Sequence, residues 1–118
     1  MDPSTVVLAV LAGFLGYRLV RRMMGKVPPE RARALVRDGA RLVDVRSPGE
    51  HGSGHIEGSI NVPVGDLKDR LDELGERARP VVVYCASGMR SAAAADILKS
   101  AGFTAVHDLG AMARWSAP

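Results

Sequence analysis

A β-branched apolar run, Val81-Val82-Val83-Tyr84, delivers Cys85, the only cysteine of the chain, into a short loop. The loop is Ala86-Ser87-Gly88-Met89-Arg90, and an alanine-rich helical pattern begins at once at Ser91. A short continuous apolar run of this kind reads as a strand buried on both faces of a parallel sheet. A helix that follows directly aims its unpaired N–H groups and positive dipole end at whatever anion the loop holds. Strands alternating with helices along the rest of the chain imply an α/β domain with a mainly parallel sheet. In such sheets ligands bind beyond the C-terminal ends of the strands, and Cys85 falls there.

A lone cysteine after a strand is ordinarily a small buried hydrophobe. Three features favour a nucleophile here. Cys85 ends the strand instead of lying within it. Gly88 permits a turn that points several N–H groups inward. Arg90 adds a full positive charge at the far rim, where the helix starts. A cysteine so placed has a lowered pKa and is held largely as thiolate, the reactive form.

With 118 residues, one compact domain is the natural count. A single cysteine excludes an intramolecular disulfide and any cysteine-rich metal site, and it fits a reducing compartment. His51, His55 and His107 lack a metal-binding helical spacing and read as surface or loop residues. Neither a metal nor a cofactor is expected. Up to Lys26 there are four basic residues and one acid, Asp2; from Val27 onward twelve Lys/Arg balance twelve Asp/Glu. The basicity therefore belongs to the N-terminal segment, and the remainder has no surplus with which to grip nucleic acid.

Val6 to Tyr17 is twelve uncharged residues, about 18 Å of helix against a hydrocarbon core of about 30 Å. Counting from Pro3 to Val20, with Arg18 snorkelling, brings the reach to about 27 Å. The basic residues follow the apolar run, unlike a cleaved signal peptide, and no polar face precedes Arg18, unlike a core or interfacial helix. The expectation is a single-span anchor over residues 3–22. Arg18, Arg21, Arg22 and Lys26 place its C-terminal flank, and the domain, in the cytoplasm. Ala9/Gly13 and Ala12/Gly16 form small-x-x-x-small pairs that suit weak homo-association of such anchors. Residues 1–26 are thus read as anchor and basic flank, and 27–118 as the domain.

Within that domain Pro29 suits a first helical position, with Glu30 in the first turn. Residues 30–37 read as a helix with Ala32, Leu35 and Val36 inward, stopped by Asp38-Gly39. Residues 42–46 read as a strand ended by Ser47-Pro48-Gly49, 51–58 as glycine-rich loop, and 59–62 as a short strand. Leu67, Leu71 and Leu74 give an amphipathic helix over 66–74. After the Cys85 strand come a helix over 91–100, a strand over 105–107 and a last short element carrying Trp115.

Three stretches together carry a resemblance: Asp44-Val45-Arg46, then Gly54-His55-Ile56-Glu57-Gly58-Ser59-Ile60-Asn61-Val62-Pro63, then Cys85-Ala86-Ser87-Gly88-Met89-Arg90. In this order they resemble a single-domain rhodanese from about Pro29 to Trp115. The resemblance implies a rhodanese-like α/β fold, a mainly parallel five-stranded sheet flanked by helices, here preceded by one transmembrane helix. It implies sulfane-sulfur transfer through a Cys85 persulfide, from a small donor such as thiosulfate to a thiophilic acceptor: cyanide, a thiol or a protein. Backbone N–H groups of Ala86, Ser87, Gly88, Met89, Arg90 and Ser91 would hold the developing charge, and Arg90 the donor's anionic group. Asp44 and Arg46 look like a supporting pair near the site, with a satisfied buried salt bridge the equal alternative. Two departures concern the C-terminal packing. Gly110-Ala111 stands where the family often has Gly-Gly, and the chain stops three residues after Trp115.

Two rivals differ in kind. Cysteine phosphatases and arsenate reductases use a loop one residue longer than the six from Cys85 to Arg90. A membrane-tethered, non-enzymatic module that carries sulfur or docks a partner would also retain the fold.

Overall fold

The computed structural model describes residues 2–118, with side chains placed for all of these except 18–24. Helix α1 (Pro3–Met24) is followed by α2 (Pro29–Arg37), β1 (Arg41–Asp44), α3 (Pro48–Ser53) and β2 (Ile60–Asn61). Two 3-10 turns, Val64–Asp69 and Leu71–Leu74, lead to β3 (Val81–Cys85), α4 (Met89–Ser100), β4 (Val106–Ala111) and a final 3-10 turn, Met112–Ser116.

Among the described residues four strands form one sheet, all parallel, in the order β2-β1-β3-β4. β3 is buried along its whole length, and alternation splits its side chains between two cores. Val81, Val83 and Cys85 join Leu67, Leu74, Ala94, Leu98 and Phe103 beneath α4. Val82 and Tyr84 join Ala32, Leu42, Ile56 and Leu109 beneath α2, with Met112 and Trp115 at the margin. Strand order turns back between β1 and β3, so their C-terminal ends flank the crevice where open α/β sheets hold ligands.

The sheet thus has four strands where the resemblance implies five; beyond β4 lies only an isolated parallel bridge, Lys26 to Asp108. Val27 N–H donates to the Asp108 carbonyl at 2.8 Å, but Pro28 and Pro29 follow. Proline has no N–H to donate, so the ladder stops there. Pro29 instead opens α2, where its missing donor costs nothing.

Among the described residues no helix is long and apolar enough to cross a membrane. This overturns the anchor over 3–22, its single-pass placement and the cytoplasm-facing orientation drawn from it. α1 runs for 22 residues, but its uncharged stretch reaches only about 18 Å before Arg18, well short of the bilayer core. The side chains of Arg18, Arg21 and Arg22, which set the expected orientation, lie outside the described residues. The small-residue pairs lose their setting with the bilayer, because close packing of small residues drives association in lipid specifically.

Two local expectations also change. The helix over 66–74 is broken at Arg70 (φ −125°), leaving two 3-10 turns that still bury Leu67 and Leu74. Residues 48–53, expected as strand end and loop, form α3. Ser47 caps it by accepting from Glu50 N–H, while Glu50 reaches back to the Ser47 N–H, a capping box. The Ser-Pro-x-Glu pattern of Ser47 to Glu50 is its sequence signal.

Candidate active site

β3 carries Cys85 to the switch point, and Gly88, in the left-handed region at φ 101°, turns the chain into α4. α4 starts at Met89, two residues earlier than the alanine pattern indicates, so Arg90 stands in its first turn. The turn folds the backbone over the sulfur. Gly88 N–H donates to Cys85 Sγ at 3.0 Å and Ser91 N–H at 3.3 Å.

Cys85 is fully buried, and burial alone pushes its thiol up. The Ser91 hydroxyl and the N–H groups of Ser91, Gly88 and Ser87 outweigh this, and the net shift is downward. Thiolate is thus favoured by hydrogen-bond donors to the charged form, in spite of desolvation. Ala86 and Ser87 are exposed above the sulfur, Gly88 is buried, and Met89 stands out 65% exposed at the rim.

Arg90 lies at the rim as its position requires, but it is paired. Its two terminal nitrogens donate to Glu50 Oε1 at 2.7 Å and Oε2 at 3.0 Å. Glu50 was not among the candidate residues, and it is α3 that brings it there. The Arg90 guanidinium, with the Ser47 N–H beside it, holds the Glu50 carboxyl down to about 2.

Asp44 ends β1 beside Tyr84, its register partner on β3. Its buried carboxylate accepts from Arg46 N–H at 2.9 Å, from Arg46 Nη2 at 2.7 Å and from the Tyr84 hydroxyl at 3.1 Å. His51 Nδ1 lies 2.9 Å from the same carboxylate. Burial raises the Asp44 carboxyl, but Arg46 and His51 outweigh it and leave it lowered. Arg46 goes on to the Gly54 carbonyl at 2.7 Å, and Tyr84 takes Ile56 N–H at 3.1 Å. Asp44 and Arg46 therefore fix the 46–61 segment, including α3 and Glu50, against the Cys85 strand. His51, read from sequence as a loop residue, is part of this network, and His55 stacks on it with ring centroids 3.7 Å apart.

Lys26, counted from sequence with the basic flank, pairs with Asp108 Oδ2 at 2.6 Å and donates to the Gly88 carbonyl at 3.2 Å. Spacing alone gave no hint of it, because its partners lie 62 and 82 residues away. Among the described residues no group of three or more His, Cys, Asp and Glu side chains is arranged to hold a metal ion. What the site offers chemically is one sulfur under converging N–H groups, with a paired arginine at the rim.

The sequence profile of the Rhodanese-like domain family matches residues 28–118. The uncharacterized protein YqhL of Bacillus subtilis is 36% identical over 95% of this chain and 92% of its own length. The thiosulfate sulfurtransferase GlpE of Pseudomonas syringae is 38% identical over 71% of this chain and 78% of its own. The structure of the human single-domain sulfurtransferase TSTD1 superposes with a TM-score of 0.71 at 30% identity, covering 77% of this chain and 94% of that one.

Proposed function

The chain belongs to the rhodanese-like family, and from that premise we propose that it transfers sulfane sulfur through a persulfide on Cys85. The observation that carries this is the convergence of the Gly88 and Ser91 N–H groups on one buried sulfur at the end of β3. Relatives named thiosulfate sulfurtransferase support the reaction class.

The Cys85 thiolate attacks the outer sulfur of thiosulfate. A bond forms between Sγ and that sulfur, the bond from that sulfur to the sulfite group breaks, and sulfite leaves with the electron pair. The outer sulfur of the resulting persulfide is then attacked by a thiophilic acceptor: cyanide, a thiol or a protein thiol. The Cys85 thiolate departs as leaving group, so the cycle closes without an external oxidant. The Gly88 and Ser91 N–H groups hold negative charge at the sulfur throughout, and they are already oriented before reaction. Asp44 and Arg46 act at a remove, by holding the segment that carries Glu50. The six-residue loop is the shorter, sulfurtransferase form; the phosphatase loop has one residue more.

Intact mass of the full chain tests this. Incubation with thiosulfate adds the mass of one sulfur at Cys85, and cyanide removes it with release of thiocyanate. Uptake without release to any acceptor would make the protein a sulfur carrier. No uptake at all would leave a docking module.

A further inference from the structure

Three cations stand near the cysteine loop, and a carboxylate of the protein meets each of them. Lys26, whose Nζ donates to the Gly88 carbonyl at 3.2 Å, pairs with Asp108 Oδ2 at 2.6 Å. Arg46, 5.7 Å from the centre of the Tyr84 ring, pairs with Asp44 Oδ2 at 2.7 Å. Arg90, the one cation of the loop itself, is held in a fork by both oxygens of Glu50.

Glu50 is not a loose partner. Its Oε1 accepts the Ser47 N–H at 3.1 Å, and its own N–H donates to Ser47 Oγ at 3.2 Å, the capping box of α3. α3 is tied down in turn, because His51 Nδ1 lies 2.9 Å from the buried Asp44 carboxylate and Arg46 Nη2 donates to the Gly54 carbonyl at 2.7 Å. The rim carboxylate is therefore built into α3, and it leaves Arg90 only by giving up a cap.

Thiosulfate is a dianion, and its sulfonate meets Glu50 wherever it meets Arg90. A like charge set against one substrate selects for another. An organic hydropersulfide, R–S–S–H, brings the same sulfane sulfur with at most one negative charge and needs no guanidinium. Ala86 and Met89, exposed beside the sulfur, offer apolar surface to its organic group.

We propose that Glu50 is a specificity-determining residue: by occupying Arg90 it turns the site from thiosulfate towards organic hydropersulfides. This rests on the reading of Cys85 as the sulfur-carrying nucleophile. In the favoured step the Cys85 thiolate attacks the outer sulfur of the donor. A bond forms between Sγ and that sulfur, and the S–S bond of the donor breaks. The thiolate of R leaves with the electron pair, while the new persulfide keeps the donor's proton, so no oxidant is consumed.

The test compares the wild type with Glu50→Gln in the full chain, with hydroxyethyl hydropersulfide and thiosulfate as donors. Glutamine also completes a capping box, and thermal unfolding checks the fold. The wild type has the higher kcat/KM with the hydropersulfide, and Glu50→Gln moves the ratio towards thiosulfate by about threefold or more. Sulfate, a dianion that transfers nothing, gives a second reading through its protection of Cys85 from iodoacetamide. Glu50→Gln lowers the sulfate concentration for half-protection by about threefold or more, and Glu50→Gln/Arg90→Met loses that gain. A wild type that favours thiosulfate overturns the proposal, and so does a ratio or a half-protection that Glu50→Gln leaves in place. A sulfate gain that persists without Arg90 also overturns it, since Glu50 would then be a repelling charge and nothing more. If neither donor loads Cys85 the function itself is refuted, and the sulfate measurement, which needs no transfer, still decides whether Glu50 keeps dianions from Arg90.

Discussion

Glu50 grips Arg90 with both carboxylate oxygens, at 2.7 and 3.0 Å, and Oε1 also accepts the Ser47 N–H at 3.1 Å. The arginine expected to receive a donor's anionic group is therefore already met by a carboxylate of the protein. An anionic donor has to share that guanidinium or displace Glu50. Both side chains are 37% exposed, so the pair is screened by water and contributes little to stability.

Glu50→Gln should lower the KM for thiosulfate by about threefold or more, with little change in kcat, because it removes a repelling charge and frees the guanidinium. Steady-state thiocyanate formation checks this. An unchanged KM would mean that Arg90 takes no part in donor binding. The clamp is present above the ordinary carboxylate range and is lost only as pH falls through about 2. A pH profile taken from about pH 5 to about pH 9 accordingly reports on Cys85 and not on Glu50.

Cys85 is an acid whose folded pKa is lowered, so between the folded value and the unfolded thiol value the unfolded chain holds the extra proton. Stability therefore rises with pH across that window, and the contribution is lost as pH falls through the folded pKa. The melting temperature of the wild type should climb towards about pH 8.5 relative to that of Cys85→Ser. Parallel curves for the two proteins would contradict the lowered pKa.

Asp44→Ala should cost about 3–5 kcal/mol, because it strands the buried Arg46 and removes the acceptor of Tyr84 and His51. Urea denaturation measures it. The lowered carboxyl adds a pH signature: the stability Asp44 supplies is present above its ordinary pKa of 3.8 and is lost as pH falls through the folded value.

Gly110→Ala should destabilise by about 1–2 kcal/mol, since φ 86° places an alanine in the left-handed region. Its Cβ would also press on the Lys26 stem at 3.3 Å. The expected outcome is a lower melting temperature, read by thermal unfolding beside the wild type. An unchanged melting temperature would mean that the turn at Gly110 carries no strain for a side chain.

The sequence by itself determined the α/β class, the position of Cys85 at a strand end and the turn at Gly88. Each depends on neighbours along the chain: the β-branched run of Val81 to Val83, the left-handed freedom of glycine, the alanines that carry α4. Pro29 and Glu30 placed α2 for the same reason. Even α3 is marked locally, by the capping box of Ser47 and Glu50. Tertiary structure alone decided which charges meet at the site. Glu50 reaches Arg90 across 40 residues and Lys26 reaches Asp108 across 82. No periodicity reports such pairs, because a charge on a surface element looks the same whether it faces water or a partner. The N-terminal helix shows the converse. Its apolar run sets helical character, but crossing a bilayer depends on apolar length, and the short uncharged stretch before Arg18 does not supply it.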